Sequence, residues 1–167
     1  VIDILSAIYV FKSNYRFEVI LSKGHCILAW LVTLVRTGEI EKNKLEDYYQ
    51  NGSQFGGHPK QGSTKSITWS TGSLGHGLSV SCGKALANKE KKFICIIGDG
   101  ESNEGSIWEA FMFISQHKIS NLLVILDNNR QESLDFTDKI LSLSDCKKRL
   151  SAIGLEATQL NGHCLES

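Results

Sequence analysis

Apolar residues in this chain fall into short dense runs, separated by segments rich in Gly, Ser and Thr. The opening "VIDILSAIYVF" repeats Ile2, Leu5 and Tyr9 at helical spacing and predicts a helix that is already running at the first residue. "FEVILS" (17 to 22) is a short apolar run closed by Gly24 and predicts a strand. "CILAWLVTLVRTG" predicts a buried helix stopped by Gly38. "EKNKLEDYYQNG" predicts an amphipathic surface helix ended by Gly52, and residues 51 to 73 predict a long irregular segment. The second half is more regular. "LGHGLSVSCGKALANK" (74 to 89) carries small residues on a helical period, and "KFICIIG" predicts a buried strand. "GSIWEAFMFISQHK" follows as a helix, "NLLVILDNN" as another buried strand, "SLSDCKKRLSAIG" as a helix and "LEATQL" as a last strand.

Continuous apolar strands alternating with helices predict an α/β fold: a doubly wound, mainly parallel sheet with helices on both faces. In such sheets ligands sit beyond the strand ends. Two strand-end loops carry most of the polar chemistry, Gly98 to Gly105 and Asp127 to Ser133.

At 167 residues and 41% hydrophobic content, one core and one domain over 1–167 are expected. The chain opens inside a helix, "NGHCLES" ends without a capping element, and the only methionine is Met112, so both termini are expected to be incomplete. Eighteen basic residues balance eighteen acidic ones, which removes any long-range pull toward nucleic acid or an anionic membrane. The longest apolar runs are too short to cross a bilayer, no signal sequence opens the chain, and a cytoplasmic protein with a small-molecule partner is the expectation. Cys26, Cys82, Cys95, Cys146 and Cys164 are widely spaced and read as buried free thiols. Trp30, Trp69 and Trp108 are expected in the core.

"GDGESNEG" places Asp99, Glu101 and Glu104 beside three glycines, immediately after an apolar strand. Glycines there let the backbone turn tightly and approach a ligand. Asp99 would then project toward the space that the next helix, beginning near Glu104, addresses with its free N–H groups, a place for a cation and an anion together. "DNNRQ" offers further oxygen donors, the Asn129 side chain and the Gln131 carbonyl. Each piece alone also reads as a simple turn. Together they are more specific, because the 27 residues from Glu101 to Asp127 between them hold one helix and one strand.

"GDGESNEGSIWEA" followed at that interval by "DNN" resembles the thiamine diphosphate signature. With "LSKGH" (21 to 25), "GGHP" (56 to 59), "STGSLGHG" (70 to 77) and "GLEATQLNGH", the chain is similar to the thiamine-binding half of transketolases, especially those with separate N- and C-terminal subunits. The resemblance implies the thiamine diphosphate-binding fold and a magnesium or calcium ion held by Asp99, Asn129 and the Gln131 carbonyl. It implies that Gly100 gives a backbone N–H to the cofactor's diphosphate and that Gly98, Asp99 and Asn129 belong to the cofactor-binding set. His25 corresponds to a histidine near the diphosphate and reacting carbon, His58 to one that binds sugar hydroxyls, and Gly72, Ser73 and Leu74 to the loop against the aminopyrimidine ring. Glu104 corresponds to a glutamate at the subunit contact, which leaves Glu101 a solvated neighbour. His76, His117 and His163 carry no implied role.

The implied reaction moves a two-carbon ketol unit from a ketose or its phosphate to an aldose or its phosphate. The family's activating glutamate lies in a second, pyrimidine-binding domain, and nothing after Leu155 is long enough to be one. The chain alone is therefore expected to be silent, and to need a pyrimidine-binding C-terminal subunit or domain in a homo- or hetero-oligomer. The same signature occurs in the alpha subunit of 2-oxo acid dehydrogenases, against which "SKGH" and "TGSLGHG" argue. "NEGSIWEA" argues against a deoxyxylulose phosphate synthase relative, and the intact metal donors argue against a degraded, non-catalytic half-subunit.

Overall fold

The computed structural model describes residues 1–12 and 17–164, so the end of "NGHCLES" lies outside the described residues. The elements run α1 (Ile2–Lys12), β1 (Phe17–Leu21), α2 (Ile27–Arg36), α3 (His76–Ala87), β2 (Lys92–Gly98), α4 (Gly105–His117), β3 (Leu122–Asp127), α5 (Thr137–Ile140) and α6 (Cys146–Ala152). The strands form a parallel sheet in the order β1-β2-β3, with Phe17 opposite Lys92 and Gly98 opposite Asp127.

Side chains alternate across a strand, so each strand feeds two cores. Val19, Leu21, Ile94 and Ile96 pack on one face against Leu5, Ile8 and Tyr9 of α1 and Trp30, Leu31 and Leu34 of α2. Ile20, Phe93, Cys95 and Ile97 pack on the other against Leu78, Cys82 and Ala85 of α3 and Ile107, Phe111 and Ile114 of α4. Burial on both faces explains the unbroken apolar runs of β1 and β2. β3, expected to be buried, is a correction: it stands at the outside of the strand order, is mostly half-buried, and leaves Leu123 56% exposed. Trp30 is fully buried, and its indole N–H donates to the Tyr9 hydroxyl at 2.6 Å, joining α2 to α1. No described helix is long and apolar enough to cross a membrane.

Four further expectations are corrected. Residues 41–52 form a 3₁₀ turn at Lys42–Leu45 and further tight turns, not a helix. Backbone bonds run from Lys44 to Glu41, Glu46 to Asn43, Tyr48 to Leu45 and Gln50 to Asp47, all three residues apart. Such turns stack Leu45 on Tyr48, and both cover the first core. "LEATQL" forms no strand, since no neighbour pairs with it among the described residues. Trp69 is 41% exposed, with the Lys84 ammonium 6.0 Å from its ring centroid, whereas Trp108 packs on the second core and donates to the Ser102 carbonyl at 2.8 Å. None of the five cysteines forms a disulfide, but only Cys82 and Cys95 are buried; Cys26 and Cys146 are half-buried and Cys164 is exposed.

Candidate functional site

All three strands end at one edge of the sheet, and the polar loops collect there. The rung Gly98↔Asp127 aligns the ends of β2 and β3, so Asp99 follows one strand by one residue and Asn129 the other by two. Asp99 is 1% exposed. The Gly100 N–H donates to its Oδ1 at 3.0 Å and the Thr137 hydroxyl to its Oδ2 at 2.9 Å. Both donors are neutral, and Asp99 makes no ion pair among the described residues.

Asn129 is exposed, and its Oδ1 accepts the Gln131 N–H at 3.0 Å, closing an Asx turn. Gln131 bridges Phe136, the Thr137 N–H donates to the Arg130 carbonyl at 3.1 Å, and the loop folds back as a small hairpin. That fold brings Thr137 onto Asp99. Glu132 of the same hairpin lies against Gly100 and accepts from the Asn103 amide at 3.0 Å, so the two loops are fastened to each other.

The third strand brings its own group. Beyond β1, the buried Lys23 passes Gly98 and donates to Asp127 Oδ2 at 2.9 Å. The Val1 amino group approaches the same oxygen at 3.4 Å. Burial raises the Asp127 pKa, but the hydrogen bond and charge of Lys23 outweigh it and hold the carboxyl below the usual carboxylate range. Counting side chains, this edge holds three buried carboxylates, Asp99, Glu101 and Asp127, against one buried ammonium.

His25 follows in a single 3₁₀ turn, Gly24–Cys26. A Cβ on Gly24 would meet the Thr71 hydroxyl at 2.9 Å and the Gly72 nitrogen at 3.0 Å, and Thr71 donates to the Leu21 carbonyl at 2.7 Å. The His58 ring lies over Gly72, 3.1 Å from where its Cβ would stand. His25, His58 and the Gly72–Leu74 loop are thereby brought to one place. Partial burial lowers the His25 pKa, and the charges of Lys23 and His58 lower it further. Both histidines stay exposed, able to reach a bound molecule. Leu74 is 40% exposed beside them. Glu104 is exposed at the start of α4, with its side chain against Gly75.

Glu101 is a correction. It is 3% exposed, and its carboxylate accepts from the Ser22 hydroxyl, the Gly75 N–H at 2.9 Å and the Gly98 N–H at 3.1 Å. Lys23 and Thr137 were not anticipated either; the only local signal for Lys23 is its place inside "LSKGH". The other histidines are peripheral. His163 Nδ1 lies 2.7 Å from Asp3 Oδ2, His117 sits against the Phe113 ring, and His76 is exposed at the start of α3.

Comparison with known proteins agrees with the motifs. Residues 11–166 match the family model described as transketolase, thiamine diphosphate binding domain. The chain is 38% identical over 159 residues to one of the subunits of the apulose-4-phosphate transketolase of Phocaeicola vulgatus, covering 93% of this chain and 56% of that protein. It is 36% identical over 160 residues to Homo sapiens transketolase, covering 92% of this chain and 25% of that one. Among solved structures it is similar to Campylobacter jejuni transketolase, with a TM-score of 0.81 and 27% identity over 90% of this chain and 26% of that one. The chain thus spans about half the length of the first relative and a quarter of the others. With the parallel sheet, the glycine–aspartate strand end and the paired Asn loop all in family order, this chain belongs to the thiamine diphosphate-binding domain family of transketolases.

Proposed function

We propose that this chain is the cofactor-binding half of a transketolase. It would hold thiamine diphosphate through a magnesium ion and, with a pyrimidine-binding partner, transfer a two-carbon ketol unit from a ketose phosphate to an aldose phosphate. The observation that carries the reading is Asp99, buried without a cationic partner among the described residues, one residue past the rung that also leads to the Asn129 loop.

That donor set fits a hard divalent cation. Magnesium takes oxygen ligands and keeps some positions for water and phosphate. Asp99, Asn129 and the Gln131 carbonyl would supply the protein's share. Calcium would accept the same oxygens. Gly98 and Gly100 bring backbone, not side chain, up to where the diphosphate would lie.

When bound, thiamine diphosphate supplies the electron sink that lets a carbon–carbon bond beside a carbonyl break. The chain's own residues do the rest. Thr137 orients the Asp99 carboxylate. His25, with its pKa lowered, is neutral near pH 7 and can accept or donate a proton at its ring nitrogens. His58 would hydrogen-bond the sugar hydroxyls. Gly72, Ser73 and the exposed apolar Leu74 would receive the aminopyrimidine ring. Glu104, exposed, would meet the partner, either a separate C-terminal subunit or the remainder of a longer chain in a homo- or hetero-oligomer. Five cysteines without a disulfide favour a reducing compartment, the cytoplasm.

Calorimetric titration of the chain with thiamine diphosphate and magnesium tests this directly. Binding should disappear without the metal and weaken at least about tenfold in Asp99→Asn. Binding indifferent to magnesium, or equal in the two forms, would remove Asp99 from its role. Ketol transfer by the chain alone would remove the partner.

A further inference from the structure

Glu101 stands in the middle of the site, yet no step above uses it. A carboxylate at 3% exposure is costly to bury unless its oxygens are well bonded. Here the bonds come from three separate segments. Oε1 accepts from the Ser22 hydroxyl and the Gly75 N–H, and Oε2 from the Gly98 N–H. The donors lie 79, 26 and 3 residues away along the chain.

What those segments carry gives the contacts their meaning. Ser22 directly follows β1 and leads through Lys23 to His25. Gly75 ends the Gly72–Ser73–Leu74 loop in a left-handed conformation, φ +82°, that a residue with a side chain adopts only under strain. Gly98 ends β2 and leads to Asp99 and Gly100. Ser106 adds a bond from its hydroxyl to the Gly75 carbonyl at 3.2 Å, so both backbone polar groups of the loop's last residue are held.

We infer that Glu101 is the positioning residue of the cofactor site, one carboxylate fastening the histidine turn, the Gly72–Leu74 loop and the Asp99 strand end to one another. The inference rests on the functional reading above, because it assigns Glu101 no contact with the cofactor and lets it act through the residues that make one. A carboxylate suits the task because all its acceptor sites are oxygens. A glutamine of the same shape would turn an amide N–H₂ toward either the Gly98 N–H or the Ser22 and Gly75 donors, and lose one side of the fastening.

The test is residue-resolved amide hydrogen exchange on the ligand-free chain for wild type, Glu101→Gln and Ser22→Ala, followed by titration of each with thiamine diphosphate and magnesium. In wild type the Gly75 and Gly98 amides should exchange slowly. Glu101→Gln should speed exchange at Gly75, Gly98 or both at least about tenfold while Leu31 and Leu34 in α2 stay protected. Ser22→Ala should leave both glycines slow, since the carboxylate remains. The half-saturating cofactor concentration should rise about tenfold to a hundredfold in Glu101→Gln. Fast exchange at either glycine in wild type overturns the inference without any variant, and so does unchanged exchange at both in Glu101→Gln. Failure of the functional reading has a different signature: the glycine amides respond as described, while wild type takes up no cofactor.

Discussion

His25 shows how position turns an ordinary residue into a chemical one. Burial disfavours its imidazolium, and the neighbouring Lys23 charge and His58 ring act in the same direction, against the weaker pull of Glu101 and Asp127. Its titration followed by NMR should therefore fall below the ordinary histidine value near 6.5, and Lys23→Met should move it back upward. A His25 that titrates at the ordinary value, or ignores Lys23→Met, would show that the turn after β1 does not bring these groups together. The sequence made His25 and His58 visible because motif order places them near the strand-end loops. It hid Lys23 and Glu101, for charged residues in loops read as solvated. Their partners, Asp127 and Ser22, lie 104 and 79 residues away, a distance no local pattern spans.

Among the elements, α3 tests close packing most sharply. Gly77 in its first turn lies against the end of β1, and a Cβ there would stand 2.5 Å from the Ser22 Cβ. Gly83, further along the same helix, faces open space. Gly77→Ala should destabilise the chain by about 1–3 kcal/mol through overpacking. Gly83→Ala should stabilise it by about 0.5–1 kcal/mol, because alanine suits a helix interior better. Denaturant unfolding of the two variants checks the pair, and equal shifts would contradict the contact at Ser22. Small residues on a helical period gave this packing away in the sequence, as unbroken apolar runs gave away β1, β2 and β3. Two patterns misled. In residues 41–52 the apolar Leu45 and Tyr48, three apart, suit a 3₁₀ turn as well as an α-helix, and Tyr49 at φ +65° interrupts the helical path. In "LEATQL" the alternation is present, but a strand exists only through a partner.

At the scale of the whole molecule, charge divides the sheet into two ends. The strands' leading end is closed by Glu18 of β1, which takes hydrogen bonds from Lys84 of α3 at 2.6 Å, from Lys91 just before β2 and from Thr68 of the irregular segment. Here one carboxylate is held by two ammonium groups and the fold is fastened, whereas among the described side chains the trailing end keeps a surplus of buried carboxylate. The leading end therefore contributes to acid stability. Burial pushes the Glu18 pKa up, but the bonds from Lys84, Lys91 and Thr68 outweigh it and bring it from 4.5 down to about 2. A group whose pKa is depressed on folding contributes stability that is complete above its unfolded pKa and is lost as pH falls through its folded one. Wild type should accordingly exceed Glu18→Gln in stability at pH 7, and the gap should close as pH falls from about 4.5 toward 2. Denaturant midpoints of both forms measured across that window decide the matter. A gap that persists unchanged to the acid end would mean that Glu18 fastens the sheet by its shape alone, and that the division of charge between the two ends plays no part in holding the fold.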